Sequence, residues 1–176
     1  DDEAFVARTG YAGEDGVEIL IPKDSGIELW DVLLENGVAP CGLGCRDTLR
    51  LEAGMHLYGS EMNTTTTPYE ASLGWIVNSK KPYIGQGVLE QQKEKGVDKK
   101  LVAITLTKRN IARHDYPVVD GDEVIGKVTS GTWSPSLSIP IALAYVPTEL
   151  SKVGSKINVK IRGKLEQATV VKKPFY

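Results

Sequence analysis

An α+β region followed by a small antiparallel β domain is the fold class that this sequence predicts. Three observations carry that expectation. Residues 1–78 hold two short apolar runs and then two stretches with apolar residues at helical spacing. From Lys100 onward the runs KLVAITL, YPVVD, EVIGKVTSG, IPIALAYV, KINVKI and LEQATVVK are short, β-rich and separated by Gly, Pro, Asp and Ser. Strands of that length and spacing point to a small barrel or sandwich. Between the two regions, NSKKPY at 78–83 is polar and contains Pro82, which marks a boundary. The expected division is 1–78, a linker with a short helix at 79–97, and 98–176.

AFVART (4–9) and GVEILI (16–21) read as two strands joined by GYAGED, with Asp15-Gly16 as a turn signal. Alternation puts Val17, Ile19 and Ile21 on one face and Glu18 with Leu20 on the other. A carboxylate in so apolar a strand either reaches water at a sheet edge or is held by specific donors. Residues 24–36 place Ile27, Trp30, Val32, Leu33 and Leu34 at near-helical spacing, with Asp24 or Ser25 to cap the start and Gly37 to end it. Residues 42–54 form a second helix stopped by Gly54. The Thr run 64–67 and Pro68 make a loop, LGWIV (73–77) a strand, and 86–95 a short helix ending at Gly96.

The chain has 176 residues, 41% hydrophobic and 25% charged, enough for one or two packed domains. A net charge of −2 and a pI near 5.8 give no reason to expect a nucleic-acid partner. No stretch approaches the roughly 18 consecutive apolar residues of a membrane span, so no membrane partner is expected. The opening DDEAFVARTG has neither a basic region with an apolar run nor an initiating Met, and reads as a chain entered partway. Cys41 and Cys45 are the only cysteines, which leans towards a reducing compartment. With Leu49 and Ala53 they recur every four residues, the stripe of one helical face, as small buried hydrophobes. No His or further Cys stands nearby to complete a zinc set, so no metal is expected.

Four places carry polar or aromatic residues that a fold does not require. Tyr11, between Gly10 and Ala12-Gly13, is free to lie over a planar ligand or to pack beneath its own hairpin. That loop lacks the GxGxxG spacing of a dinucleotide site and the Lys-Ser/Thr ending of a phosphate loop. Arg46 and Arg50 share one helix face; Arg46 is either part of a salt-bridged surface or an inward guanidinium for a carboxylate or heterocycle edge. Trp133, in SGTWSPSLS (130–138), is expected in a loop, where an aromatic makes contacts as readily as core. Arg113 and His114 precede a predicted strand and suit either an anionic group or a solvated turn. His56, expected in the loop after the second helix, and His114 show no nucleophile–base–orienter arrangement. The residues alone describe a two-part protein with room for a small planar ligand.

Three motifs go further. RTGYAGEDGVEI (8–19), GLGCRDTLRLEAGMHLYGSEM (42–62) and TSGTWSPSLSIPIALAYVP (129–147) together resemble the aminomethyltransferases, the T-proteins of the glycine cleavage system. YIGQGVLEQQKEKG (83–96) and VVKKPFY (170–176) are similar to the same family, so the resemblance spans the chain in order. It implies the end of a folate-binding domain followed by a C-terminal β-barrel. It also implies a longer parent with an N-terminal portion not contained here. The implied activity moves the methylene carbon of an aminomethyl group, carried on the lipoyl arm of H-protein, to tetrahydrofolate with release of ammonia. Lipoylated H-protein and tetrahydrofolate are the implied partners. The implied location is the cytoplasm of a bacterium or the mitochondrial matrix of a eukaryote.

Residue by residue, Glu18 matches the family glutamate that reads the pterin, whose 2-amino-pyrimidinone edge offers adjacent N–H donors to two carboxylate oxygens. Arg46 matches the folate-contacting arginine and would balance the Glu18 charge under partial burial. Tyr11 matches the tyrosine of the family's Gly-rich loop, and Trp133 falls in a loop directed towards the active centre. The family's essential aspartate lies upstream of Asp1, so no residue here is assigned a catalytic role, and the 176 residues alone are expected to be inactive. Cys45 replaces a usual alanine and Ala12 a common threonine. A folate-dependent demethylase, the folate domain of a sarcosine-type dehydrogenase, or a non-catalytic folate-binding protein are the alternatives. The last group's Lys-Gly-Cys-Tyr-x-Gly-Gln-Glu motif is not found in this sequence.

Overall fold

The computed structural model describes residues 3–78 and 80–176. The first two residues of the acidic lead, and Ser79 at the expected boundary, lie outside the described residues. The chain forms two compact units, Asp1–Arg50 and Leu51–Tyr176.

In the first unit β1 (Phe5–Ala7) and β2 (Glu18–Leu20) pair antiparallel, Phe5 opposite Leu20 and Ala7 opposite Glu18. Each strand is half its expected length. Pairing stops where the Gly-rich loop, with Gly13 at φ +80, draws the two backbones apart. All three β2 residues are exposed, so the partial burial expected for Glu18 is not found. The physical reason is that β2 belongs to a two-stranded ribbon.

Helix α1 (Lys23–Glu35) begins one residue earlier than expected. The Pro22 carbonyl accepts the Gly26 N–H at 2.9 Å and opens the helix, so Pro22 and not Asp24 or Ser25 occupies the cap position. Asp24 then sits in the first turn, where its charge meets the positive end of the helix dipole. The far end closes as anticipated at Gly37, whose φ of +80 lets its N–H reach Leu34 O at 3.0 Å while Val38 N–H reaches Leu33 O at 3.0 Å. Helix α2 (Leu43–Glu52) starts at the Gly42 carbonyl, which accepts the Arg46 N–H at 3.1 Å. Gly54, at φ +71, follows its end. Cys41 and Cys45 are exposed rather than buried. The stripe they share runs off the open N-terminal end of α2; deep burial begins only at Arg50 and Leu51.

The second unit is built on a closed six-stranded antiparallel barrel, as the β-rich half of the sequence predicts. Its strands are β3 (Lys99–Leu106), β4 (Pro117–Asp120), β5 (Glu123–Ser134), β6 (Ile139–Pro147), β7 (Lys156–Ile161) and β8 (Lys164–Val171). They follow one another round the barrel in the order β3-β6-β5-β4-β7-β8. Helix α3 (Gln86–Lys95) precedes it and ends at Gly96, as its sequence indicates. Val102, Ile104, Leu106, Ala142, Ala144 and Val146 point into the core with residues of β7 and β8. The opposite faces of β3 and β6, with Leu101, Ala103, Ile141, Leu143 and Tyr145, pack on Leu51 in a second cluster. Burial on both faces explains why KLVAITL and IPIALAYV are almost unbroken apolar runs.

Residues 51–76 cover that outer face. Leu101 N–H donates to Glu70 O at 2.8 Å, Ser72 Oγ to Leu101 O at 2.8 Å, and Tyr145 Oη to Glu61 O at 2.7 Å. Within this cover LGWIV is not a strand: Gly74–Ile76 forms a single 3-10 turn with Trp75 82% exposed. Gly74 lies so close to Tyr69 that a Cβ there would fall 2.7 Å from the ring, and Ile76 N–H bonds back to Leu73 O at 3.0 Å. The apolar run therefore curls on itself and finds no ladder.

Trp133 is also corrected. It sits inside β5, opposite Pro140 of β6, and not in a loop. β5 continues beyond the SGT stretch because Glu52 anchors its end. The 1%-exposed carboxylate of Glu52 accepts from Ser134 Oγ, from Ser136 N at 3.2 Å and from Ser136 Oγ at 2.8 Å.

Candidate functional site

Tyr11, Glu18 and Arg46 are brought to the walls of one open cavity of about 330 Å³ within the first unit, together with Cys41 and Leu49. Local structure explains each position. Gly10 and Gly13 flank Tyr11 and let the loop fold over. Glu18 is the first residue of β2, and Arg46 lies in the first turns of α2.

The Arg46 guanidinium carbon stands 4.9 Å from the centroid of the Tyr11 ring, a cation–π stack. Thr9 Oγ1 donates to Glu18 Oε2 at 2.5 Å. Acid and guanidinium thus keep separate partners while facing one space. Two planar groups in register and a carboxylate with a free oxygen suit a flat heterocycle bearing adjacent N–H donors. The volume lies at the small end of ligand pockets. Glu14 and Asp15 add negative charge to the rim, and Asp15 Oδ1 is 3.7 Å from Arg8 Nη2 in open solvent.

The other two predicted residues fall in the barrel unit, in a cluster of their own. Arg109 holds its guanidinium carbon 5.6 Å from the Trp133 ring centroid. Arg113 Nη1 donates to Gly131 O at 3.3 Å. His114 Nδ1 is 2.6 Å from Thr129 O, and Lys127 Nζ is 3.1 Å from Asp115 Oδ1. The Lys127 hydrogen bond holds the Asp115 carboxyl below the ordinary range, helped by the His114 and Lys127 charges. His56 Nε2 lies 2.7 Å from Ala71 O, a structural role after α2.

Sequence reasoning missed Thr9 as the partner of Glu18 and Arg109 as the partner of Trp133. ARTGY does place a hydroxyl two residues before Tyr11, a signal that only the β1–β2 register makes legible. Among the described residues no group of three or more His, Cys, Asp or Glu side chains is placed to hold a metal ion. Nor is any helix among them long and apolar enough to cross a membrane.

Residues 2–81 match the family described as "GCVT N-terminal domain", and residues 99–176 the "Glycine cleavage T-protein C-terminal barrel domain". A protein named aminomethyltransferase from Synechococcus sp. (strain CC9311) is 59% identical over 174 residues, covering 98% of this chain and 47% of the relative. Its namesake from Synechocystis sp. (strain ATCC 27184 / PCC 6803 / Kazusa) is 56% identical over 177 residues, covering 99% and 48%. The crystal structure of glycine cleavage system aminomethyltransferase T from Bartonella henselae superimposes with a TM-score of 0.93 at 34% identity, over 98% of this chain and 50% of that one. The chain therefore spans about half the length of the curated relatives it matches. Two family matches in order along the sequence, and relatives of one name at more than half identity, make this chain a member of the glycine cleavage T-protein family.

Proposed function

We propose that this chain supplies the folate grip of a tetrahydrofolate-dependent aminomethyltransferase. In that reaction the methylene carbon of an aminomethyl group on lipoylated H-protein passes to tetrahydrofolate, ammonia leaves, and the lipoyl arm is left reduced. The observation that carries the reading is the convergence of Tyr11, Glu18 and Arg46 on one cavity. Their chemistry fits the co-substrate. Glu18 accepts from the amino and ring N–H donors of the pterin edge. Tyr11 and Arg46 offer a flat, electron-rich and cationic flank to the heterocycle.

Tetrahydrofolate supplies the nitrogens that take up the one-carbon unit. The residues of this chain bind and orient it; proton transfer is not assigned to them. Trp133 and Arg113 are secondary candidate site residues, carried by the barrel unit. The relatives named above come from bacteria, and on that ground we place the reaction in the cytoplasm.

Calorimetric titration of the chain with tetrahydrofolate, under reducing conditions, tests the reading. Glu18→Gln is expected to weaken binding by roughly 5- to 140-fold, about 1–3 kcal/mol for a charged hydrogen bond left unmade. An unchanged affinity in that variant removes Glu18 from the site, and no heat of binding with the unaltered chain removes the folate reading.

A further inference from the structure

β3 and β8 pair over only part of β3, from Ala103 opposite Val171 to Leu106 opposite Ala168. β3 runs back to Lys99, while the chain leaves the ladder after Val171. Beside this parting lies a cavity of about 380 Å³, wholly within the barrel unit. Lys100, Lys172 and Lys173 line it with Ser72 and Ser151, and among the described residues no carboxylate belongs to its wall. Both hydroxyls donate to backbone carbonyls, Ser72 Oγ to Leu101 O at 2.8 Å and Ser151 Oγ to Thr148 O at 2.6 Å. The lysines are the groups left to meet a ligand, and three cations on one wall attract an anion.

Lys173 differs from the other two. Its stem packs against the turn after α2, where a Cβ added at Gly54 would lie 3.2 Å from its Cδ and 3.3 Å from its Cβ and Cγ. The chain is held on both sides of it, at Val171 by the β3 ladder and at Phe175, whose N–H donates to Glu52 O at 3.0 Å. Lys173 is partly buried, whereas Lys172 is exposed. Burial lowers its pKa from the ordinary ammonium range, against the opposing Glu61 charge. A lysine amine kept from water beside other cations gives up its proton more readily and becomes an activated nucleophile.

We propose that Lys173 is an acylation site whose donor is a small acyl phosphate, drawn into this cavity by Lys100 and Lys172. The neutral Lys173 amine attacks the carbonyl carbon of the donor. A C–N bond forms and the C–O bond to phosphate breaks. Inorganic phosphate leaves with the electron pair of that bond, and the surplus proton of the amine passes to solvent. Nothing is oxidised or reduced. The product is a neutral amide, so the cavity wall loses one of its three positive charges.

The test incubates the purified full chain with acetyl phosphate and follows acetyl occupancy at each lysine by peptide mass mapping. Lys160, exposed on β7 and outside the cavity, is the internal reference. Lys173 is expected to gain acetyl several-fold faster than Lys160. Inorganic phosphate, added as a competitor, is expected to slow Lys173 and leave Lys160 unchanged. Lys100→Gln, which removes a cation from the wall, is also expected to slow Lys173. Equal rates at Lys173 and Lys160 in the unaltered chain would overturn the proposal. So would phosphate that slows neither lysine or both alike, or a Lys100→Gln chain whose Lys173 reacts as fast as before.

Discussion

Arg46 rests its guanidinium over the Tyr11 ring at 4.9 Å, and this contact gives both side chains a fixed plane. A lysine would keep the charge but lose the flat face and the fork of donors. Arg46→Lys is therefore expected to weaken tetrahydrofolate binding by about 2- to 5-fold, the worth of an exposed cation–π contact of roughly 0.5–1 kcal/mol. Calorimetry of the variant beside the unaltered chain checks it, and an equal affinity would make the stack incidental to the ligand. Glu18 shows what one residue's surroundings settle. Its neighbours in GVEILI leave open a sheet edge or a carboxylate held by donors, and the structure shows an exposed carboxylate that accepts a hydrogen bond from the Thr9 hydroxyl.

β5 is the element whose glycines do most. A Cβ added at Gly131 would lie 1.8 Å from the Ala112 carbonyl oxygen, and one at Gly126 would lie 2.1 Å from that of Tyr145. The strand also shifts register between Val128 and Ser130, where a bulge increases its bend. Backbone therefore crosses backbone at close range, and only glycine leaves room. Gly131→Ala is expected to lower the stability of the barrel unit by about 1–3 kcal/mol or more, as overpacking does. Gly87, in α3, faces open space and has no such constraint. Gly87→Ala is expected to raise stability by about 0.4–1 kcal/mol by restricting the unfolded chain. Urea unfolding of both variants measures the contrast, and equal shifts would mean that the close approach at Gly131 is relieved elsewhere. Helix α1 shows how far local signals reach: its Gly37 stop is legible in the sequence, while its start depends on the Pro22 carbonyl rather than on a capping side chain.

Across the barrel unit, Tyr145 joins the outer apolar face of β6 to the segment that covers it. Burial first, then the Glu70 and Glu61 charges, push its phenol up to about 12. A phenol in the unfolded chain titrates near 10. The folded state disfavours the phenolate, so this contribution is complete below about pH 10 and is lost as pH rises through about 12. Unfolding midpoints in urea, taken from pH 8 upward, are expected to fall across that window. Tyr145→Phe, which has no phenol to titrate, should show a shallower fall; parallel curves would place the alkaline sensitivity elsewhere.

Six barrel strands, three helices and the α+β order are legible in the residues alone, because turn residues, periodicity and apolar runs act over a few neighbours. It also brought Tyr11, Glu18 and Arg46 to notice through their motifs, and the fold then put them on one cavity. What covers each run is set by the packed fold. LGWIV curls against Tyr69, Trp133 joins β5 through the Glu52 anchor, and the cysteine stripe ends in solvent. The anchor of β5 is the clearest case, for Glu52 and Ser134 meet across 82 residues of chain, and local spacing carries no record of that partner.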